Sequence, residues 1–164
     1  MKSVILKLLS GFSPSMIIFF IAMLPIFELR GAIPLGIMKY RLSIQWVFPI
    51  AVIGNILPLV PILLFLGPLS ERLQKYSIFD KFFTWLFTRT RRRSEIVERL
   101  ELLGLILFVA IPLPMTGGWT GSVAAFLFNF GFWKSFTAIT IGVLIAGIIV
   151  SCASMGILNI YFII

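Results

Sequence analysis

From Leu8 to Met38 the chain is apolar except for two charges, Glu28 and Arg30, set within Pro25-Ile-Phe-Glu-Leu-Arg-Gly-Ala-Ile-Pro-Leu-Gly36. Residues two apart on an α-helix point to nearly opposite sides, so this acid and base cannot neutralise each other on a straight helix. Pro25 and Pro34 each lack a backbone donor, and Gly31 and Gly36 accept the dihedrals of a turn, so a helix break at the charged pair is expected. In lipid the amides and carbonyls freed by a break must be satisfied by protein or by water in a cavity. Such a break is expected to line a site.

Lipid is the solvent that the rest of the chain implies. Of 164 residues, 60% are hydrophobic and only 12% charged, against roughly 25% charged in soluble domains. A helix crossing about 30 Å of hydrocarbon needs around 20 residues, and apolar segments at 8–38, 44–66, 102–133 and 135–164 account for most of the sequence. The net charge of +8 would suggest nucleic acid in a soluble protein. Here eight of the basic residues fall between Arg72 and Arg99, where they can meet anionic lipid, and no nucleic acid partner is expected. There is no histidine and one cysteine, Cys152, so no disulfide framework, Cys/His metal set or thiol–imidazole pair is available. No cofactor is expected. Lys2 and Lys7 precede an apolar run as in a signal peptide, but no small-residue cleavage pattern follows, and the segment is read as retained.

Ser13-Pro14 suits a helix start, with serine as cap and proline at the first helical position, and this helix should run to about Pro25. A start near Leu8 would instead let it cross the bilayer, so a half-membrane hairpin and a full span both remain open. Lys39, Tyr40 and Arg41 end the unit at an interface. Ser43 then caps a span from Ile44 to Leu66, ended by Gly67-Pro68, with Pro49, Gly54, Pro58 and Pro61 implying kinks. Asn55 within it needs a partner, either the Glu28/Arg30 turn or a neighbouring helix.

Residues 67–101 form a basic connector, expected in the cytoplasm by the excess of positive charge. Within it Ser77 to Asp80 resembles a capping box, followed by an amphipathic helix lying in the interface. Arg89, Arg91, Arg92 and Arg93 would rest among anionic lipid head groups. From Leu102 to Trp133 there are 32 uncharged residues, about 48 Å as one straight helix and too long for the bilayer. Pro112-Leu-Pro114-Met-Thr-Gly-Gly-Trp-Thr-Gly121 therefore reads as an irregular turn between two shorter arms. Its amides around Thr116, Gly117, Gly118 and Trp119 suit an anionic group, although glycine turns also serve close packing. In the last segment Gly142/Ala146, Gly147/Ser151 and Cys152/Gly156 are small pairs four apart, expected to pack against other helices.

An offset of 87 residues pairs Pro25 with Pro112, Gly31 with Gly118 and Trp46 with Trp133. Each half thus reads as a broken hairpin followed by a span. The expected fold is an all-α integral membrane protein with two re-entrant-type hairpins, each followed by a transmembrane helix, in one membrane domain built as an inverted repeat. Both turns need partners away from lipid and are expected to approach each other near the midplane.

Phe27 to Gly36 and Gly104 to Gly121 resemble the two signature blocks of the prokaryotic small multidrug export protein family, and the likeness extends over most of the chain. That family is similar in turn to the DedA/VTT superfamily, which resembles transporters with two facing re-entrant hairpins and includes lipid translocases. The resemblance implies a multi-pass protein of the prokaryotic inner membrane that exports small molecules. DedA-like proteins carry basic residues in the second hairpin region, and here there are none between Leu102 and Trp133.

Three functions compete. A transporter of amphipathic small molecules, or a lipid translocase, would use Glu28 and Arg30 for substrate or proton coupling, with Gly31, Pro34, Pro112, Pro114, Thr116, Gly117, Gly118 and Trp119 shaping the site and Asn55 as polar support. In a structural or assembly protein the charged pair would only lock a turn. An intramembrane enzyme would have to build on Thr116 or Ser122 without a histidine or nearby carboxylate, so no enzyme is expected. A homo-oligomer is compatible with the sequence.

Overall fold

The structure is a computed structural model that describes residues 12–73, 95–113 and 116–163, with side chains over 12–66, 100–113 and 116–156. Every regular element among these residues is helical. They are α1 (Pro14–Met23), α2 (Glu28–Pro34) continued by a π-helical turn (Leu35–Lys39), α3 (Ile44–Ile56), α4 (Leu59–Leu73), α5 (Glu95–Ala110), α6 (Gly118–Leu127) and α7 (Phe132–Ile163). The expected interfacial helix after Ser77, Arg89, Arg91, Arg92, Arg93 and Pro114 lie outside the described residues. The chain forms two compact units, one ending at Leu57 and resuming from Gly147, the other Pro58–Ala146.

In the first unit, α1 starts as expected. Ser13 is extended, its Oγ accepts from the Met16 amide at 3.4 Å, and Pro14 occupies the first turn. The helix ends because a residue before proline is pushed out of the α region, and Leu24, ahead of Pro25, adopts φ −77°, ψ 132°. At 10 residues, α1 is about 15 Å long, half the hydrocarbon thickness.

The break thus falls at Leu24–Phe27, at Pro25 and just ahead of the charged pair, whereas the other residues expected to shape it lie elsewhere. Gly31 and Pro34 are inside α2, and Gly36 is inside the π turn. Pro34 cannot donate to the carbonyl one turn back, and the winding changes from α to π directly after it. Gly36 serves contact, since a Cβ there would meet Val47 Cγ1 at 2.7 Å and Ile18 Cδ1 at 2.9 Å. Gly54 does the same between α3 and α1, where a Cβ would lie 2.6 Å from the Phe19 carbonyl oxygen. Ile18, Ala22, Ala32, Ile33, Val47 and Ala51 are fully buried around these contacts. Small residues let helix backbones approach, which is how packing rather than hydrophobic exclusion holds helices together in lipid.

The segment expected as one kinked span from Ile44 to Leu66 is long and apolar enough to cross a membrane, and departs from the expectation in two ways, at its start and at its end. Ser43 stands at the N-cap position, but its hydroxyl makes no capping bond; its carbonyl accepts from Trp46 and Val47 instead. The kink expected at Pro58 is present as a turn at Leu57-Pro58, where proline cannot donate to Gly54. The second piece continues through Gly67-Pro68 to Leu73. Pro61 falls in the first turn of α4, where no donor is needed.

In the second unit, 102–133 does divide into two arms, α5 ending at Ala110 and α6 starting at Gly118. α6 packs against α4 and α5. Val109 of α5 fills the space left by two glycines: a Cβ on Gly121 would meet its Cγ2 at 2.5 Å, and one on Gly142 its Cβ at 2.7 Å. Of the small-residue pairs on α7, Gly142 thus faces α5, while Gly147, in the first unit, lies against Phe48 and Leu29. Cys152/Gly156 is not part of that face: Cys152 is exposed and nothing lies within 4 Å of a Cβ on Gly156.

Candidate functional site

The α1–α2 turn is closed by one carbonyl. Leu24 O accepts from Phe27 N at 3.2 Å and from Glu28 N at 3.0 Å, and Phe27 O then accepts from Gly31 N at 2.9 Å. Glu28, the residue on which α2 begins, has φ 44°. Left-handed backbone costs a non-glycine residue about 1–2 kcal/mol and persists only where the surroundings over-determine it. It also re-aims the side chain, and so resolves the geometric objection to a pair two residues apart. Arg30 Nη2 lies 3.7 Å from Glu28 Oε2.

The acid is the more deeply placed partner, with 7% of its side chain exposed against 23% for Arg30. A charge-assisted N–H···O bond measures about 2.7–2.9 Å, so at 3.7 Å these two atoms attract without being locked together. A carboxylate and a guanidinium at a break in an apolar unit can hold a proton and an anionic group respectively.

Asn55 supports the turn from α3. Its Nδ2 donates to Ala22 O at 3.2 Å, a carbonyl in the last turn of α1, where helices leave acceptors unused. The residue is 1% exposed. Of the partners open to it, it takes the neighbouring helix at its broken end, and Oδ1 is left buried without a hydrogen bond.

The turn in the second unit is built differently. Thr116 is its hub: the hydroxyl lies 2.7 Å from Ile111 O and 2.9 Å from Leu113 O and accepts from Leu113 N at 3.2 Å. The Thr116 amide itself donates to Leu113 O at 3.2 Å, so it is turned into the loop around Pro112 rather than outward. Gly117, the N-cap of α6, has φ 153°, ψ −165°, a region essentially restricted to glycine. Gly118 is buried at the start of α6, its carbonyl accepting from Ser122 Oγ at 2.8 Å. Trp119 follows in the same first turn. Among the described residues no three His, Cys, Asp or Glu side chains come together.

Two features were not visible in residue spacing. The left-handed backbone at Glu28 has no local signature, because Glu is not a residue that favours it. The role of Thr116 as hub does have one, since Ser and Thr side chains commonly bond nearby backbone in turns.

Ile44–Leu66 and Phe132–Gly156 are long and apolar enough to cross a membrane, with mean hydropathies of 2.3 and 2.4. The fold and turns define an all-helical membrane protein with a charged pair at a helix break. A family model described as "Putative small multi-drug export protein" matches residues 28–149, and the chain belongs to that family. No curated protein and no solved structure matches it.

Proposed function

We propose that the chain is an exporter of amphipathic small molecules in which Glu28 exchanges protons and Arg30 holds an anionic group when Glu28 is protonated. The observation that carries this is a buried carboxylate on strained backbone beside a guanidinium at a helix break. Ionisable residues inside membrane segments are costly and mark substrate or proton paths. Arg30 stands beside the carboxylate, so proton coupling requires the pair to separate or be bridged during the cycle.

Helix boundaries support a repeat of DedA-like type. The offset of 87 that pairs Pro25 with Pro112 also carries Met23, the end of α1, onto Ala110, the end of α5. It carries Ile44, the start of α3, to within one residue of Phe132, the start of α7. On this reading each half is a re-entrant-type hairpin followed by a span, inverted with respect to the other, in a multi-pass protein of the prokaryotic inner membrane. The activity is transport rather than catalysis, with Arg89, Arg91, Arg92 and Arg93 meeting anionic lipid.

Proteoliposomes loaded with amphipathic small molecules that carry an anionic group, or with labelled anionic lipid, under an imposed pH gradient, test the reading. Gradient-dependent export of the small molecules that disappears in a folded Glu28→Gln variant supports it. Lipid movement alone assigns the site to translocation of lipid, and normal export by Glu28→Gln removes the carboxylate from the mechanism.

A further inference from the structure

The loop joining the π turn to α3 carries a second concentration of positive charge, separate from the Glu28 turn. Lys39 and Arg41 are both exposed, and among the described residues neither has a carboxylate within ion-pair distance. Lys39 Nζ sits 5.6 Å from the centroid of the Tyr40 ring, a cation–π contact that holds the ammonium beside an amphipathic ring. Trp46, in the first turn of α3, is 69% exposed. A large exposed indole close in sequence to two exposed cations and a tyrosine is the residue set of a membrane–water boundary.

We infer that Lys39, Tyr40, Arg41 and Trp46 form a contact surface for the head groups of anionic phospholipids. The two cations attract the phosphate charge, Arg41 supplies a planar fork for its oxygens, and Trp46 lies at the level of the glycerol backbone. Arg41 also has φ 51°, at the end of a helical turn closed by Leu42 N to Gly36 O at 3.1 Å. Glycine is the residue that such a position ordinarily favours. An arginine there accepts strain that a glycine would relieve, which allows charge and fold to be separated by one substitution.

The test reads the loop directly. A chain retaining only Trp46, with Trp85, Trp119 and Trp133 replaced by Phe, is reconstituted in phosphatidylcholine bilayers containing either brominated phosphatidylglycerol or brominated phosphatidylcholine at equal mole fraction. Preferential quenching by the anionic lipid is expected, with local enrichment on the order of five-fold for each cation. Lys39→Ala/Arg41→Gly should abolish the preference while thermal unfolding stays at or above that of the parent. A bimane on Ser43→Cys in a Cys152→Ser chain gives the same reading with every tryptophan in place, should the Trp46-only chain not fold. Equal quenching by the two lipids, a preference unchanged in the double variant, or its suppression by soluble glycerol phosphate would each overturn the inference.

Discussion

Gly54→Ala tests the packing that holds the broken helix in place. A Cβ at this position would lie 2.6 Å from the Phe19 carbonyl oxygen and 3.1 Å from Ala22 Cβ. The nearer atom is backbone within α1 and cannot rotate away, so α3 must shift by several tenths of an ångström. That shift also stretches the neighbouring Asn55–Ala22 hydrogen bond, already 3.2 Å. Overpacking of this kind costs about 1–3 kcal/mol, and losing the hydrogen bond about 1 kcal/mol more. The helix preference of Ala over Gly returns about 0.5–1 kcal/mol. The net destabilisation is about 1–3.5 kcal/mol, which for a chain of this size lowers Tm by about 2–14 °C. Gly104→Ala is the control: nothing lies within 4 Å of its added Cβ, so only the helix-preference gain remains, with Tm unchanged or higher by up to about 4 °C. Thermal unfolding of both variants in one detergent, followed by circular dichroism, gives the comparison. If Gly54→Ala melts no lower than Gly104→Ala, the close α1–α3 approach is wrong.

Thr116→Val removes the hydroxyl bonded to Ile111 and Leu113 and should lower the melting temperature by about 2–4 °C, for roughly 1 kcal/mol. Gly117→Ala places a side chain at φ 153°, ψ −165° and should cost about 1–3 kcal/mol in the same melt; an unaffected Tm would disprove the backbone conformation. Cysteines introduced singly between residues 74 and 94 of a Cys152→Ser chain should be shielded from an impermeant thiol reagent in intact cells, as a cytoplasmic connector requires, whereas ready labelling reverses the topology.

The helix ends that could be read from sequence are those set by proline, because its effect is local. Pro25 forces Leu24 out of the helix, and the Pro112 region separates α5 from α6. Gly67-Pro68 has the same composition yet sits within α4, since a missing donor only weakens a helix that its surroundings continue to favour. The serines show the same contrast, Ser13 capping through its hydroxyl and Ser43 only through its carbonyl. Gly36 and Gly54 were legible as turn or kink residues and act as contact points instead. Which backbone meets which is a tertiary fact that neither glycine advertises. At the site, the identity of Glu28 and Arg30 was legible from their isolation in an apolar run. Their pairing was not, because the helical spacing rule assumes right-handed backbone at both residues, and Glu28 lacks it.

That exception supplies a way to tell a functional pair from a structural one, through Glu28→Gly rather than an isosteric change. At φ 44° glycine removes left-handed strain of about 1–2 kcal/mol. Deleting one member of a fully buried pair costs about 3–5 kcal/mol because the other charge is stranded, and Arg30, with 23% of its side chain exposed, falls short of full burial. The two effects oppose each other. If the carboxylate serves transport, Glu28→Gly should fold with a melting temperature close to that of the parent and export nothing under a pH gradient. If the pair exists to hold the turn, the strain would be tolerated only for a larger stabilisation, and the variant should melt well below the parent. Retained export at near-normal rate would refute the transport role, because no other carboxylate lies between Leu8 and Met38 to replace it.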